Sequence, residues 1–435
     1  MIQTLFVMFA ISLPCADAAT SPVQTPTWGD PIRAIMQQHC VSCHHDRGAA
    51  PFALQTYEQV ARRADFVAAV TSEGLMPPWP PSDQGLALAD HRGLSAAERS
   101  AIRAWANAGM PIGDDKSPAV IPSAESIRHD MVLSMNEAWP MPAESRENWG
   151  RRDTDKWTFV LPLDNAEGLQ VQAIEHVTAV PTAMHAISYL TDHTNLPQWQ
   201  DARTEGPGHY MAGDVYDAPT GLMGTTGVGG RVRRLPDGYH WPVRARSSLI
   251  MQSHYRPTGK AEQVQDTVIL ELSADEDSRP VRVINLMKRF IDLPIGGVEV
   301  FRDSLTIPET VELVGMTPRV MGICTSLQVT ADIPGEGLIV LLDIPDYDPH
   351  WRMMFQLDSP YELPAGTLLT AQWTIENTEE NERNPFVPLD RLAMAKRTGS
   401  LSILLHVAAE DAVADQSLTE WHVLEMLSRL RRPVP

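Results

Sequence analysis

Cysteine is scarce in this chain, with four residues in 435, at positions 15, 40, 43 and 324. Positive charge is scarce too: 35 Lys and Arg stand against 55 Asp and Glu, a net charge of −20. That balance excludes the basic face that nucleic-acid binding needs, and it opposes docking on an anionic membrane. It suits a basic redox partner protein, although acidity alone mostly serves solubility. Apolar runs of any length are confined to the first twenty residues, so no transmembrane segment is expected in the mature chain. No internal repeat stands out. The Gly-rich GTTGVGGRVRR lacks the GK[ST] of a phosphate loop and reads as a turn. What is there, 43% hydrophobic and 21% charged residues, suffices for packed cores in two or three domains.

Residues 1–18 read as a secretory signal peptide. An apolar run from Leu5 to Leu13 precedes Ala16-Asp17-Ala18, an A-x-A-like cleavage site, although no Lys or Arg precedes the run. Pro14 occupies the place where a lipoprotein anchor at Cys15 would want a small residue. The mature protein is therefore expected to be periplasmic or secreted. It keeps Cys40, Cys43 and Cys324, an odd count that does not make a disulfide framework.

Residues 25–115 read as three short helices. PIRAIMQQH is followed directly by His39-Cys40-Val41-Ser42-Cys43-His44. Thr56 with Gln59, and Ser95 with Glu98, form capping-box patterns, and Gly74 and Gly109 are the expected stops. Cys40-Val41-Ser42-Cys43-His44 matches C-x-x-C-H, the attachment signature of a c-type haem. Two thiols three positions apart reach the two vinyl groups of one porphyrin, and the next residue supplies an imidazole to the iron. A closed zinc site would need a second Cys/His pair at suitable spacing, and a thioredoxin-like site would need a βαβ context. A sixth iron ligand is expected from Met76, in GLMPPWPPSD, where Pro77, Pro78, Pro80 and Pro81 stiffen the loop. Met76 could instead be a core residue, with His45, His39 and His91 as other candidate ligands.

From about Lys156 the pattern changes to short β-branched or alternating runs, among them SSLIMQSHY, DTVILEL, SLQVTADI and TLLTAQWTI, separated by Gly, Pro, Asn and Asp. The expected fold is thus multidomain, α followed by all-β: a small all-α cytochrome c domain, then two β-sandwich, jelly-roll-like domains at 128–285 and 286–412. A C-terminal helix is expected at 416–432, with a Ser417/Glu420 capping box and Leu418, Trp421, Leu424, Leu427 and Leu430 on its packing face.

Three segments, HCVSCHHDRGAAPFALQTYEQVARRA, LMPPWPPSD and LSAAERSAIRAWANAGMPIGD, resemble the cytochrome c-like domain of certain bacterial multidomain proteins. In those proteins it precedes a domain pair related to the copper type II, ascorbate-dependent monooxygenases, such as the peptidylglycine and dopamine enzymes. MQSHYRPTGK, VPTAMHAISY and DIPDYDPHWRMMFQLDSPYELPAGTLL are similar to segments of that pair. The resemblance implies two facing β-sandwiches and two copper sites. The first site uses a His-His pair and the His of an HY motif, positions that here read Met184, His185 and His254. Met and His together could still hold Cu(I). The second site, where the family activates oxygen, uses a His-x-His and a later Met. Here Arg319 and Met321 stand at the His positions, and Ser400 falls near the Met. An arginine in that place supplies no lone pair and repels a cation. A residual set of Met316, Met321 and Cys324 is conceivable, but core packing explains those residues as well.

Three functions remain in view. The first is an exported mono-haem c-type cytochrome doing electron transfer, fused to a monooxygenase-like pair that has lost its oxygen-activating copper. The second is an active copper monooxygenase fed electrons by the haem. The third is a periplasmic copper-binding protein using Met184, His185 and His254.

Overall fold

The computed structural model describes residues 25–89, 91–120, 126–144, 155–181, 184–192, 207–210, 222–227, 232–288, 291–320, 322–349, 351, 353–384, 388–394 and 401–431. The expected signal peptide, Met321, His350 and Ser400 lie outside them. The described chain is mostly β-sheet, with a few helices at its two ends.

Four helices come first: α1 (Ile32–His39), α2 (Tyr57–Ala61), α3 (Ala64–Ser72) and α4 (Ala96–Asn107). In α1, Ile32, Ile35, Met36 and His39 are buried, the i, i+3, i+4, i+7 stripe of a helix that packs on one face. Ile32, Ile35 and Met36 join Trp28, Val41, Leu54, Val60, Val67, Ile102 and Trp105 in one apolar core. Both capping boxes form, Thr56 accepting from the Gln59 N–H and Ser95 from the Glu98 N–H. Gly74 and Gly109 end α3 and α4 with φ of 74° and 80°, a left-handed conformation that glycine adopts without a Cβ clash. The run expected as one helix from Tyr57 is broken at Arg62 and Arg63. Arg63 leaves helical geometry at φ −123°, ψ 15°, and its guanidinium lies 4.6 Å over the Phe52 ring. The Arg63–Phe52 cation–π contact accompanies this break, and no side chain caps α3 there.

Beside two two-stranded ribbons, the described strands build one long sheet and two shorter ones that cover it. The long sheet runs in the order Met131–Ser134, Thr267–Leu272, Leu169–Val177, Tyr239–Val243, Arg279–Lys288, Leu401–Ala409, Val311–Arg319, Phe355–Leu363. Its first half packs on a five-stranded sheet through Trp157, Phe159, Met251, Trp241 and Leu270. Its second half packs on a four-stranded sheet, Gly297–Thr306, Leu368–Asn377, Cys324–Ile333, Gly337–Ile344, through Phe301, Leu327, Leu341, Trp373 and Leu405. Leu368–Asn377 shows the required period of two, with Leu369, Ala371, Trp373, Ile375 and Asn377 all buried and the residues between them less so.

Two cores thus share one sheet. The strand Arg279–Lys288 passes through the expected 285/286 boundary and joins the halves, by parallel pairing of Arg279 with Tyr239 and Pro280 with His240. Leu401–Ala409 is buried along its whole length, with Ile403, Leu405 and Val407 in the second core and Ala408 in the first.

The C-terminal helix spans Ala412–Arg431 and is capped by Asp411, whose carboxylate accepts the Val413 and Ala414 N–H groups at 2.9 Å each. The expected cap, Ser417, lies inside the helix and donates to Glu309. Leu418 and Trp421 pack on the second core as expected, but Leu424 and Leu427 are exposed, and His422 takes the inner face instead. Its Nε2 accepts the Asn285 N–H at 3.2 Å, so that face of the helix is tied to the strand Arg279–Lys288.

Candidate functional site

The C-x-x-C-H turn follows α1 without a break. The Cys43 and His44 N–H groups both donate to the Cys40 carbonyl, at 3.2 and 2.9 Å. The chain then folds back, with Ala50 N–H on the Cys43 carbonyl and Leu54 N–H on the His44 carbonyl. This return is so close that a Cβ on Gly48 would sit 2.0 Å from the Cys43 carbonyl oxygen, so only glycine fits.

Neither Cys40 nor Cys43 is in a disulfide. Burial, with Cys43 beside it, pushes the Cys40 thiol up to about 12, so it stays protonated. His44 Nδ1 lies 2.9 Å from the Phe52 carbonyl. A carbonyl only accepts, so Nδ1 carries the proton and the lone pair is on Nε2. Burial lowers the His44 pKa, with Arg63 acting the same way against the Phe52 hydrogen bond, and keeps the ring neutral. A neutral imidazole held by Nδ1–H to a backbone carbonyl is the usual form of a metal-ligating histidine.

The surroundings suit a flat apolar group. His44 packs on Phe52 with ring centroids 4.8 Å apart, and Phe52 on Phe66 at 6.5 Å. Phe66, Leu75 and Met76 are 56%, 58% and 42% exposed, three large apolar side chains that the helical core leaves uncovered. Two thiols, one oriented imidazole and an uncovered apolar wall fit a covalently attached haem. Cys40 and Cys43 would anchor it, His44 would ligate the iron, and Met76 would supply the sixth ligand.

Met76 follows α3, and its N–H donates to the Val70 carbonyl at 3.1 Å. The other candidate histidines are less free. His39 is buried with both ring nitrogens engaged, Nδ1 at 3.1 Å from the Arg92 carbonyl and Nε2 at 3.1 Å from Glu98. His91 stacks on Trp79 with centroids 5.0 Å apart and faces Asp83 at 3.7 Å.

In the β region, strand pairing places His254 opposite Ala186 and Tyr255 opposite Met184, with a register shift between them at which His185 is the extra residue. His254 is buried on Ser248–Tyr255, whose residues are all buried. Of the conceivable residual second set, Met321 lies outside the described residues. Met316 and Cys324 are fully buried in the second core, and burial raises the Cys324 thiol far above its ordinary value. Arg319 ends its strand opposite Ser402. Among the described residues, no group of three or more His, Cys, Asp and Glu is gathered for a metal ion.

The remaining buried histidines are structural. His176 Nε2 sits 3.1 Å from the Asp266 carboxylate, which also accepts the Tyr255 hydroxyl at 2.9 Å. His240 pairs with Ser278 at 2.9 Å, and His406 with the Thr317 hydroxyl at 2.9 Å. Sequence spacing could not find the Phe52 carbonyl that orients His44, because a backbone acceptor carries no residue-type signal.

No protein-family model and no curated protein matches the chain. Among solved structures it has a likeness to the infectious bursal disease virus VP2 subviral particle, at 9% identity over 69% of this chain and 76% of that one, with a TM-score of 0.19. A second likeness is to Paenibacillus xanthan lyase, at 11% identity over 62% and 29%, with a TM-score of 0.15. Neither bears on fold or function at those scores. Among the described residues no helix is long and apolar enough to cross a membrane.

Proposed function

We propose that this chain is an exported mono-haem c-type cytochrome that passes electrons to a periplasmic partner protein. Cys40 and Cys43 would hold the haem covalently, and His44 and Met76 would ligate its iron. The haem supplies the one-electron couple. The chain's residues would anchor it and orient the imidazole, with Phe52 packed on His44 and Phe66 on Phe52. A thioether in the sixth position favours the reduced iron and raises the potential. The observation that carries the reading is the Nδ1 bond of His44 to the Phe52 carbonyl, which leaves the ring's lone pair on Nε2, directly after two cysteines in no disulfide.

The β region is then a pair of sandwiches related to the copper monooxygenases, serving as a scaffold. Arg319 stands where the resemblance wants a copper ligand, and Met316 and Cys324 are core. One observation favours a copper-binding reading for the first half, the register that puts Met184, His185 and His254 at one bulge.

Iron, copper and zinc per chain, measured on exported protein beside a reduced haem spectrum, test both. One iron that resists acidic acetone extraction, and no copper, is expected. Iron absent, or haem extracted by acid, overturns the cytochrome reading. One copper supports the Met184, His185, His254 site, and two revive oxygen chemistry.

A further inference from the structure

The chain after Met76 does not return at once to the helices. Five residues, Pro77-Pro78-Trp79-Pro80-Pro81, lead into a strap, residues 82–89, that lies on the second β core. The Ser82 N–H donates to the Asp343 carbonyl at 2.8 Å, and the Ser82 hydroxyl to the Asp343 carboxylate at 2.6 Å. Leu86 N–H donates to the Leu341 carbonyl at 3.1 Å. Ala89 N–H donates to Gln356, and Asp358 N–H to Ala87, each at 3.0 Å, on either side of a bridge between Leu88 and Leu357. Trp79 stands edge-on to Phe355 with centroids 5.8 Å apart, and Trp79, Leu86 and Leu88 close over the core.

The strap therefore covers two sheet margins. Gly337–Ile344 is the last strand of the four-stranded sheet, and Phe355–Leu363 the last of the long sheet. Margins of this kind expose unpaired N–H and C=O groups, and the strap satisfies some of them. The anchor is itself held rigidly. A row of side chains crosses the four-stranded sheet, one from each strand: Arg302 donates to Gln372, Gln372 to Gln328 at 3.5 Å, and Gln328 to the Asp343 carboxylate at 3.0 Å. The fit is also close. A Cβ on Gly85 would lie 3.0 Å from the Leu341 carbonyl oxygen and 3.2 Å from the Leu342 Cα, backbone atoms that cannot swing aside.

We propose that this strap is a positioning element for the sixth haem ligand. Docking of residues 82–89 on the second β core holds the Met76 loop where its thioether meets the iron. The proposal rests on Met76 being that ligand. The loop is pinned on one side by the Met76 N–H on Val70, at the end of α3. On the other side, four of the five residues between Met76 and Ser82 are prolines with fixed φ, so little slack separates ligand from strap. Trp79, Ser82, Gly85 and Asp343 act through Met76 and are positioning residues, and the β region tunes the haem from outside the helical unit.

The test uses full-length, haem-loaded protein and reads the weak red-end absorption band of thioether-ligated ferric haem, together with the midpoint potential. Met76→Ala is the control, Gly85→Val and Asp343→Ala undock the strap, and Ser82→Ala removes two side-chain hydrogen bonds without adding bulk. Expected are loss of the band and a lower potential in Gly85→Val and Asp343→Ala, approaching Met76→Ala, with haem still covalently attached. Ser82→Ala should keep the band but bind added imidazole, which competes with the thioether, several-fold more tightly than the parent. If Met76→Ala changes the spectrum while the three strap variants match the parent in band, potential and imidazole affinity, the strap proposal fails. If Met76→Ala changes neither band nor potential, the ligand assignment fails and the proposal with it.

Discussion

The helical unit and the β region treat their polar chemistry in opposite ways. In the helical unit, His44 is held by one nitrogen with the other left available, beside two thiols and exposed Phe66, Leu75 and Met76. In the β region, titratable groups are turned inward and silenced. Burial, helped by the Arg233 charge, lowers His406 to about 3, and burial with Arg429 lowers His422 to about 4. One region leaves large apolar side chains exposed, as the proposed haem site would require, and the other buries its cores, as the proposed scaffold role would require.

The comparison breaks most completely at the thiols. Replacing both Cys40 and Cys43 with Ala should remove all covalent haem, measured as haem that stays with the chain after denaturation. Haem that remained would place the chemistry elsewhere. Next in size is the second core. Trp373 is fully buried between the strap-bearing sheet and the long sheet, and Trp373→Ala should cost about 3–5 kcal/mol. Guanidinium melts followed by far-ultraviolet dichroism should show that loss, while haem absorbance reports the helical core separately. Equal shifts in both signals would mean that the two regions unfold as one.

Acid separates them further. Unfolded His406 takes up a proton near pH 6.5, and the folded residue refuses it down to about pH 3. Its folded pKa is the lower one, so its neutral burial is fully tolerated above pH 6.5 and costs stability as pH falls through the window to about 3. The slope is at most about 1.4 kcal/mol per pH unit for one proton. His422 adds a second proton between 6.5 and about 4. His406→Gln should flatten the dependence of urea-melt stability between pH 6.5 and 4.5 by up to one proton. An unchanged slope would show that His406 is not the buried neutral base its surroundings require.

How much of this was legible in the residues follows the range of the contacts. Capping boxes at Thr56 and Ser95 and stops at Gly74 and Gly109 are local, and each forms where its spacing put it. The break at Arg63 was not legible, and the Phe52 ring that accompanies it lies eleven positions back. In the β region, alternation in LLTAQWTIEN gave the strand and its inner face. The single sheet shared by both cores rests on two residue pairs between Tyr239–His240 and Arg279–Pro280, which no local pattern announces. The proline loop after Met76 was visible as stiff, but its anchor, Asp343, lies 261 positions beyond Ser82.

The C-terminal helix gives the finest discrimination between local pattern and long-range packing. Ser417-Leu418-Thr419-Glu420 has the letters of a capping box, and the helix starts five residues earlier. Asp411 accepts two N–H groups of the first turn, and its negative charge faces the positive end of the helix dipole. Asp411→Ala should therefore cost about 1 kcal/mol, read from urea melts at pH 7. Ser417→Ala removes a hydroxyl that donates to Glu309, a half-exposed contact between side chains, and should cost less than Asp411→Ala. The reverse order would mean that the helix begins at its sequence signature, and that the first turn on Asp411 is not held in solution.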